Sequence, residues 1–244
     1  MRLTRSHVDT ALSPGNRVTL PESAANHLTR VLRLREGDNC VLFNGDGHDY
    51  ASRIGSVGKR EVTADVLSSQ PVDNESPLAI TLMQGIARGE KMDLILQKAT
   101  ELGVVAVVPV IAERTEVKLD AERAEKRVAH WRSVMVSACE QSGRARIPSL
   151  SAPLPILQAI NEPTEKSLRL TLDPFGETSL ATLAVPAAAS ITIAIGPEGG
   201  WSPRDREALR AAGFVGLRLG PRVLRTETAG LAAIAALQSR FGDL

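Results

Sequence analysis

The sequence predicts an α/β protein: a mostly parallel sheet with helices on both faces, preceded by a smaller β-rich domain. From residue 78 onward, apolar strand patterns alternate with helical patterns, as in parallel strands joined by crossover helices. Residues 1 to about 70 instead hold short strand patterns separated by turn signals, which is typical of a small barrel or sandwich. We therefore predict two domains, residues 1–72 and residues 74–244.

The first domain is predicted to be mostly β-strand. Asn44-Gly-Asp-Gly47 is a strong hairpin signal between two strand patterns. Leu28, Val31 and Leu32 would share one face of a helix. The polar segment Ser68–Pro77 is predicted to be a linker. The predicted strands are Arg17–Leu20, Cys40–Phe43, Asp49–Val57 and Glu61–Leu67, and the predicted helix is Glu22–Leu32.

The second domain alternates strands and helices. Val104–Ile111 is continuously apolar, as expected for a strand buried on both faces. Ser202 is a good N-cap and Pro203 suits the first helical position, so a helix should begin there and end before Gly213. The other predicted strands are Leu78–Leu82, Ser167–Leu172, Ser190–Ile195 and Val215–Leu219, and the other helices are Lys91–Leu102, Ala121–Gln141, Pro153–Ile160 and Ala229–Phe241.

The charge distribution is more informative than the net charge of +1. Residues 1–35 carry six arginines and two acidic residues, whereas residues 36–72 carry three basic and six acidic residues. A basic face on a nearly neutral protein suits a polyanion such as RNA. The alternative is a solvated surface whose acidic residues lie close by in the fold.

Composition and cysteine usage indicate a soluble cytoplasmic protein. Hydrophobic residues make up 43% and charged residues 23% of the chain, as in ordinary globular domains. Cys40 and Cys139 are far apart and no C-x-x-C motif is present, which argues against a disulfide framework and a structural zinc site. The N-terminus lacks an apolar signal core, and the longest apolar run, Val104–Ala112, is too short to span a bilayer.

Two loops that follow strands of the second domain are candidate ligand sites. Gly196-Pro-Glu-Gly-Gly200 is neither a P-loop nor a dinucleotide fingerprint, but its bare backbone can approach a flat ligand closely. Pro221-Arg-Val-Leu-Arg-Thr-Glu-Thr228 offers two arginines and two threonines. The alternatives are a tight turn for the first loop, and Thr226 as an N-cap with solvated arginines for the second.

Three further clusters stand after strands or at helix ends, where α/β domains place their sites. They are Lys98-Ala-Thr-Glu-Leu-Gly103, Glu113-Arg-Thr115 and Glu140-Gln-Ser-Gly-Arg144. Each is weak alone, because a helical Lys/Glu pair usually only supports its helix. None has the spacing of metal ligands, and no G-x-S-x-G nucleophile elbow is present.

Taken in order, these motifs resemble the RsmE family of bacterial small-subunit rRNA methyltransferases, which belong to the SPOUT class and act on N3 of a uridine. The resemblance rests on Gly196-Pro-Glu-Gly-Gly-Trp201 and Leu219-Gly-Pro-Arg-Val-Leu-Arg-Thr-Glu-Thr-Ala229 together with the three clusters. It covers essentially the whole chain, with no departure at a motif position. It implies a PUA-like β-barrel in residues 1–72, a SPOUT domain with a C-terminal trefoil knot in residues 74–244, S-adenosylmethionine as cofactor and a homodimer acting on 16S rRNA.

Candidate residues follow from the loops and the resemblance together. Catalytic candidates are Arg225, which would stabilise negative charge on the uracil, Glu198 as a proton acceptor and Arg114. Cofactor-binding candidates are Leu172, Gly196, Pro197, Glu198, Gly199, Gly200, Leu219, Gly220, Val223, Leu224, Thr226 and Thr228. RNA-binding candidates are Arg2, Arg5, Arg30, Arg33, Arg35, Lys91, Lys98, Arg144 and Arg222, with Arg144 also a catalytic alternative. No metal is expected.

Two other functions compete with methyl transfer. A non-catalytic RNA-binding or ribosome-assembly protein would explain the basic N-terminal region but would leave the glycine loop unused. A nucleotide-dependent oxidoreductase would suit the α/β sheet, yet the G-x-G-x-x-G fingerprint is missing.

Overall fold

The computed structural model describes residues 4–58, 61–117, 120–161, 167–176, 178–184 and 190–244. The chain forms two compact units, Met1–Glu75 with Cys139–Ile147, and Ser76–Ala138 with Pro148–Leu244. The domains predicted from the sequence, residues 1–72 and 74–244, would place the segment Cys139–Ile147 in the second domain. In the structure this segment belongs to the first unit.

The first unit is built on a five-stranded sheet in the order β1-β3-β4-β5-β2. Strand β1 pairs in parallel with β3, and the other neighbours are antiparallel. Leu28, Leu42 and Ile54 lie in its core. The elements are β1 (Arg5–His7), β2 (Arg17–Thr19), α1 (Glu22–Asn26), a π-helical turn (His27–Val31), β3 (Asn39–Phe43), β4 (His48–Val57) and β5 (Val62–Pro71).

The predicted helix at Glu22–Leu32 is only partly correct. It changes after Asn26 into a π-helical turn, in which the amide of Leu32 donates to the carbonyl of His27. Because a π-helical turn holds more residues than an α-helical one, the spacing that would align Val31 and Leu32 with Leu28 no longer applies. Leu28 is buried as expected, but Val31 is 66% exposed and Leu32 is 39% exposed.

The first part of the predicted linker is wrong as well. Strand β5 continues to Pro71, and Ser68 and Pro71 pair with Ala51 and His48 of β4. Strand β5 extends this far because β4 begins at His48 and offers backbone partners along its whole length. Backbone pairing does not require apolar side chains, so the polar sequence did not indicate it. The short edge strand β1 was not predicted at all.

The second unit confirms the predicted parallel α/β architecture. Its sheet has eight strands in the order β11-β13-β10-β12-β6-β7-β8, with β9 also pairing with β7, and every described pairing is parallel. The strands are β6 (Ala79–Gly85), β7 (Val104–Ile111), β8 (Ser149–Leu150), β9 (Leu154–Pro155), β10 (Leu168–Leu172), β11 (Thr178–Ser179), β12 (Ser190–Ile195) and β13 (Val215–Arg218). The helices are α2 (Glu90–Glu101), α3 (Ala121–Ser142), α4 (Ile156–Ala159), α5 (Pro203–Ala211) and α6 (Thr226–Phe241).

Helices cover both faces of this sheet. Leu82 and its neighbour Ile193 pack into one cluster with apolar residues of α2, α3 and α6. The next residues, Met83 and Ala194, pack into a second cluster with residues of α4 and α5. Because side chains alternate along a strand, successive residues of β6 and β12 serve opposite faces.

Helix starts agree with the sequence where a local cap decides them. Ser202 accepts the backbone N–H of Asp205, and the Asp205 carboxylate accepts the N–H of Ser202, which forms the predicted start of α5. Helix α6 begins three residues earlier than predicted, at Thr226. The helix predicted at Pro153–Ile160 is wrong in its first part, because Leu154–Pro155 adds to the sheet as β9 before the short α4.

Candidate active site

Three loops of the second unit meet around one cavity at the carboxyl ends of β10, β12 and β13. This is the edge at which open α/β sheets bind ligands. Its wall combines apolar side chains with the backbone of two glycine-containing loops. The lining residues are Leu172, Asp173, Pro174, Ile195, Gly196, Pro197, Glu198, Gly200, Trp201, Arg206, Leu217, Leu219, Gly220, Arg222, Val223, Leu224, Arg225, Thr226 and Ala229.

Thr226 links the two principal loops. Its hydroxyl donates to the carbonyl of Gly196 (2.6 Å) and accepts from Nε2 of Gln84 (3.0 Å). Gln84 is fully buried and also donates to the carbonyl of Gly85 (2.8 Å). These bonds fix the start of α6 against the glycine loop. Sequence reasoning missed Gln84, whose signal was a polar residue at the end of an apolar strand.

The end of β6 approaches the glycine loop so closely that only glycine fits. A Cβ on Gly85 would lie 2.5 Å from the backbone nitrogen of Pro197. Within the loop, the amide of Gly200 donates to the carbonyl of Pro197 (2.8 Å), and Gly200 has a φ of +64°. A residue with a side chain rarely adopts that conformation, so the sharp turn depends on glycine.

Gly199 faces Arg114 and is not among the cavity's lining residues. A Cβ on Gly199 would lie 3.0 Å from Cβ of Arg114, and Nη1 of Arg114 donates to the carbonyl of Gly199 (3.0 Å). Nearby, Oε2 of Glu113 accepts from the hydroxyl of Ser202 (2.7 Å). The cluster at residues 113–115 therefore supports the glycine loop on the side that does not line the cavity.

Glu198 lines the cavity, and its carboxylate is held by the start of α2. Oε1 accepts from the amide of Arg88 (3.1 Å) and from Nζ of Lys91 (3.4 Å). Burial raises the pKa of Glu198, but hydrogen bonds from the backbone amides of Arg88 and Glu198 and from Lys91 outweigh it, so the pKa is below its usual value. A carboxylate held in this way is a weak base.

Lys91 and Lys98 are engaged with carboxylates of the second unit. Nζ of Lys91 is 3.4 Å from Glu198 and 3.7 Å from Oε2 of Glu227. Nζ of Lys98 pairs with Glu101 one helical turn away, at 2.8 Å. Lys91 thus bridges the glycine loop and the first turn of α6. RNA contacts for both lysines stay predictions.

Two exposed arginines, Arg222 and Arg225, line the cavity. Arg225 occupies the N-cap position of α6, where its carbonyl accepts the amides of Thr228 (3.0 Å) and Ala229 (2.8 Å). Thr228 itself is exposed and is not among the lining residues. Sequence reasoning also missed Arg206 and Asp173, whose charged groups are 3.9 Å apart in the cavity wall.

The arginines predicted to bind RNA fall into two groups in the first unit. Nη2 of Arg5 pairs with Oδ1 of Asp49 (2.6 Å), and Nε of Arg144 donates to Oε1 of Glu75 (3.0 Å). Both of these arginines are buried. The other described candidates are exposed, namely Arg30, Arg33 and Arg35. Arg2 lies outside the described residues.

Two negative findings apply to the described part of the chain. There, no three His, Cys, Asp or Glu side chains come together as a group that could hold a metal ion. None of the described helices has both the length and the apolarity needed to cross a membrane.

Comparisons with known proteins identify the family. A family model for an RNA methyltransferase domain matches residues 74–238, and one for an RNA methyltransferase PUA domain matches residues 20–67. The ribosomal RNA small subunit methyltransferase E of Buchnera aphidicola is 32% identical over 100% of this chain and 98% of its own length. The chain belongs to the RsmE family. The PUA-like domain is thereby confirmed, whereas closure of its sheet into a barrel stays a prediction.

Solved structures agree with this RsmE assignment. The methyltransferase E of Neisseria gonorrhoeae, bound to S-adenosylmethionine, has a TM-score of 0.92 and 40% identity over 100% of both chains. A putative methyltransferase from Legionella pneumophila, also solved with S-adenosylmethionine, has a TM-score of 0.95 and 38% identity over 100% of both chains. The similarity thus extends through both units.

Proposed function

We propose that this RsmE-family chain transfers a methyl group from S-adenosylmethionine to N3 of a uridine in 16S rRNA of the small ribosomal subunit. The main support for this proposal is the cavity formed by the three loops. The chain is also 38% and 40% identical to two proteins whose structures were solved with this cofactor. We further propose that it works as a cytoplasmic homodimer.

The cavity wall suits an adenosine-containing cofactor. Leu172, Leu217 and Leu219 offer apolar surface for a flat ring, while the glycine backbone leaves N–H and C=O groups accessible. S-adenosylmethionine supplies an electrophilic methyl group on a sulfonium ion when bound. This supports assigning the predicted cofactor contacts to the lining residues. Gly199 would act through the backbone of the glycine loop, and Thr228 through the first turn of α6.

Methylation of uridine N3 requires loss of its proton and stabilisation of the resulting anion. Arg225 can place a planar, permanently charged guanidinium near the uracil carbonyls. Arg114 donates to Gly199, so its catalytic role is a weaker proposal. The lowered pKa of Glu198 favours a role in holding the glycine loop over that of proton acceptor.

The C-terminal connections support the proposed trefoil knot. Strand β10 lies between β12 and β13, so the chain passes β10 on its way from β12 to β13. It then returns to α6, whose Gly230 lies against Ile195 of β12 and Gln84 of β6. The chain therefore runs past β10 and then comes back to the β12 side of the sheet. From this arrangement we propose that the C-terminal segment passes through a loop of the chain to form the knot.

Calorimetry of the full chain with S-adenosylmethionine tests the cofactor assignment. We expect saturable binding, and Gly85→Ala should weaken it, because the new Cβ would displace Pro197 from the cavity wall. Ser13→Ala is the control, since Ser13 is exposed in the first unit and does not line the cavity. Absence of binding by the wild type, together with retained RNA binding, would favour the non-catalytic RNA-binding function.

A further inference from the structure

Phe175 is an aromatic side chain that the folded chain leaves almost uncovered. It is 88% exposed, more than any other large hydrophobic side chain among the described residues. The chain has only four Phe, two Trp and one Tyr, and all the others are buried or partly buried. A single exposed apolar residue is common on protein surfaces, so its backbone and surroundings decide whether it matters.

The turn that carries Phe175 is tightly fixed. The amide of Phe175 donates to Oδ1 of Asp173 (2.9 Å), and the amide of Gly176 donates to the carbonyl of Asp173 (3.0 Å). The amide of Asp173 in turn donates to the carbonyl of Leu217 in β13 (3.1 Å). A Cβ on Gly176 would lie 2.5 Å from the carbonyl oxygen of Gly216, so this backbone packs directly against β13.

Phe175 also directly follows the cavity wall. Asp173 and Pro174 both line the cavity, so Phe175 is the next residue of the chain beyond its rim. On the loop before α6, Val223 lines the same cavity and is 79% exposed. Apolar surface thus remains uncovered on two of the loops that form the site.

The charges around the cavity indicate what covers this surface. Asp173 is paired with Arg206, and Glu198 is paired with Lys91. Among the described residues, no carboxylate lies within ion-pair distance of Arg222 or Arg225. Free cations beside an exposed aromatic ring are complementary to a single-stranded nucleic acid, which offers both phosphates and flat bases.

We propose that Phe175 stacks on an unpaired base of the RNA as that base reaches the cavity. This inference rests on the proposed function, because it takes RNA to be the substrate. A uridine within a stacked strand cannot present N3 to the cavity, so it must leave the stack. An aromatic ring on this fixed turn at the rim replaces part of the stacking that the base loses.

Binding of two charge-matched strands tests this role. The probes are labelled oligouridylate and an abasic ribose-phosphate strand of equal length. Phe175→Ala should bind oligouridylate roughly 5- to 150-fold more weakly than the wild type, the range measured for stacking one base. The two proteins should bind the abasic strand equally. Phe175→Trp should keep wild-type affinity, whereas Phe175→Leu, which is apolar but has no ring, should behave like Phe175→Ala.

Controls separate this inference from the proposed function. Leu157→Ala removes an exposed side chain that does not line the cavity, and it should leave binding of both strands unchanged. Calorimetry with S-adenosylmethionine should give the same affinity for all variants, and failure of the wild type to bind it would count against the proposed function alone. Wild-type binding of oligouridylate by Phe175→Ala or Phe175→Leu would overturn the stacking role. Conversion of a dimer to a monomer by Phe175→Ala would also overturn it, because a second copy would then cover the ring.

Discussion

Arg225 shows how the start of α6 can serve chemistry. Its backbone supports the first turn of the helix, while its exposed side chain is free to meet a substrate at the cavity. Arg225→Lys keeps the charge but loses the planar two-donor group. We expect the single-turnover methylation rate to fall roughly 100- to 1,000-fold, by analogy with removal of an oxyanion-hole donor.

Binding should change little in this variant, because the interaction strengthens only as charge develops on the uracil. Arg222→Lys is the matched control, since Arg222 lines the same cavity three residues earlier. If Arg225→Lys binds RNA poorly yet reacts normally at saturation, Arg225 positions the RNA, and Arg114 becomes the next catalytic candidate.

The ion contacts of Lys91 predict a pH effect on cofactor binding. The pKa of Glu198 is lower in the folded chain than its ordinary value of 4.5. Its carboxylate therefore supports the glycine loop above pH 4.5, and this support is lost as the pH falls through the folded pKa. Lys91→Met removes a cation that holds this pKa down. We expect the acid-side loss of S-adenosylmethionine affinity to begin at higher pH in this variant.

Lys98→Met is the control for that experiment, because Lys98 pairs with Glu101 on the same helix. Calorimetric titrations of the wild type and both variants, run from neutral pH down to below pH 4.5, give the comparison. Identical pH profiles for the wild type and Lys91→Met would show that Lys91 does not control Glu198.

At the level of elements, the hydroxyl of Thr226 joins α6 to the glycine loop. Thr226→Val keeps the shape of the side chain but removes the bonds to the half-buried Gly196 and the fully buried Gln84. Leaving buried polar groups unpaired costs about 1–3 kcal/mol. We expect a loss of unfolding free energy in that range, measured by urea denaturation, together with weaker S-adenosylmethionine binding.

Thr228→Val provides the matched comparison, because Thr228 is exposed two residues later on α6. Its effect on stability should stay within about 0.5 kcal/mol. Equal losses in the two variants would mean that the stability does not depend on the bonds that the Thr226 hydroxyl makes to Gly196 and Gln84.

The sequence predicts those elements whose limits depend on local chemistry. Strand Ser190–Ile195 has the predicted limits because its β-branched residues end at a glycine, and α5 begins as predicted because Ser202 and Asp205 cap it. Helix α6 was placed too late, since the role of Thr226 depends on a carbonyl 30 residues away in the chain. The π-helical turn at His27–Val31 has no simple periodic signal, so the exposure of Val31 could not be predicted.

The segments that form the site were also predictable, because local sequence patterns mark them. Glycine and arginine loops after apolar strands indicated which segments meet, and the structure brings them together. The detailed assignments depended on contacts between distant segments. Gly199 against Arg114, Arg5 with Asp49 and Arg144 with Glu75 each join residues between 44 and 85 positions apart.

At the scale of the whole molecule, the exposed arginines of the first unit should supply RNA affinity. The triple change of Arg30, Arg33 and Arg35 to alanine should weaken RNA binding. It should also reduce the slope of log affinity against log salt by roughly 0.7–0.9 for each phosphate that these arginines no longer neutralise. Arg5 is left intact, because its buried ion pair with Asp49 makes its removal a stability effect.

A matched triple on α3 controls for net charge. Arg123, Arg127 and Arg132 are exposed on that helix, and their replacement by alanine removes the same charge. S-adenosylmethionine affinity should be unchanged in both triples. Equal salt slopes for the two triples would indicate a general charge effect and not an RNA-binding face.

The most direct measurement of the central claim is the modification state of small-subunit rRNA in cells that lack this chain. Primer extension and nucleoside mass spectrometry should show one uridine that has lost its N3 methyl group. The wild-type chain should restore 3-methyluridine at that position, and Arg225→Lys should restore it only slowly. An unchanged set of modified uridines in the deletion strain would contradict the proposed function.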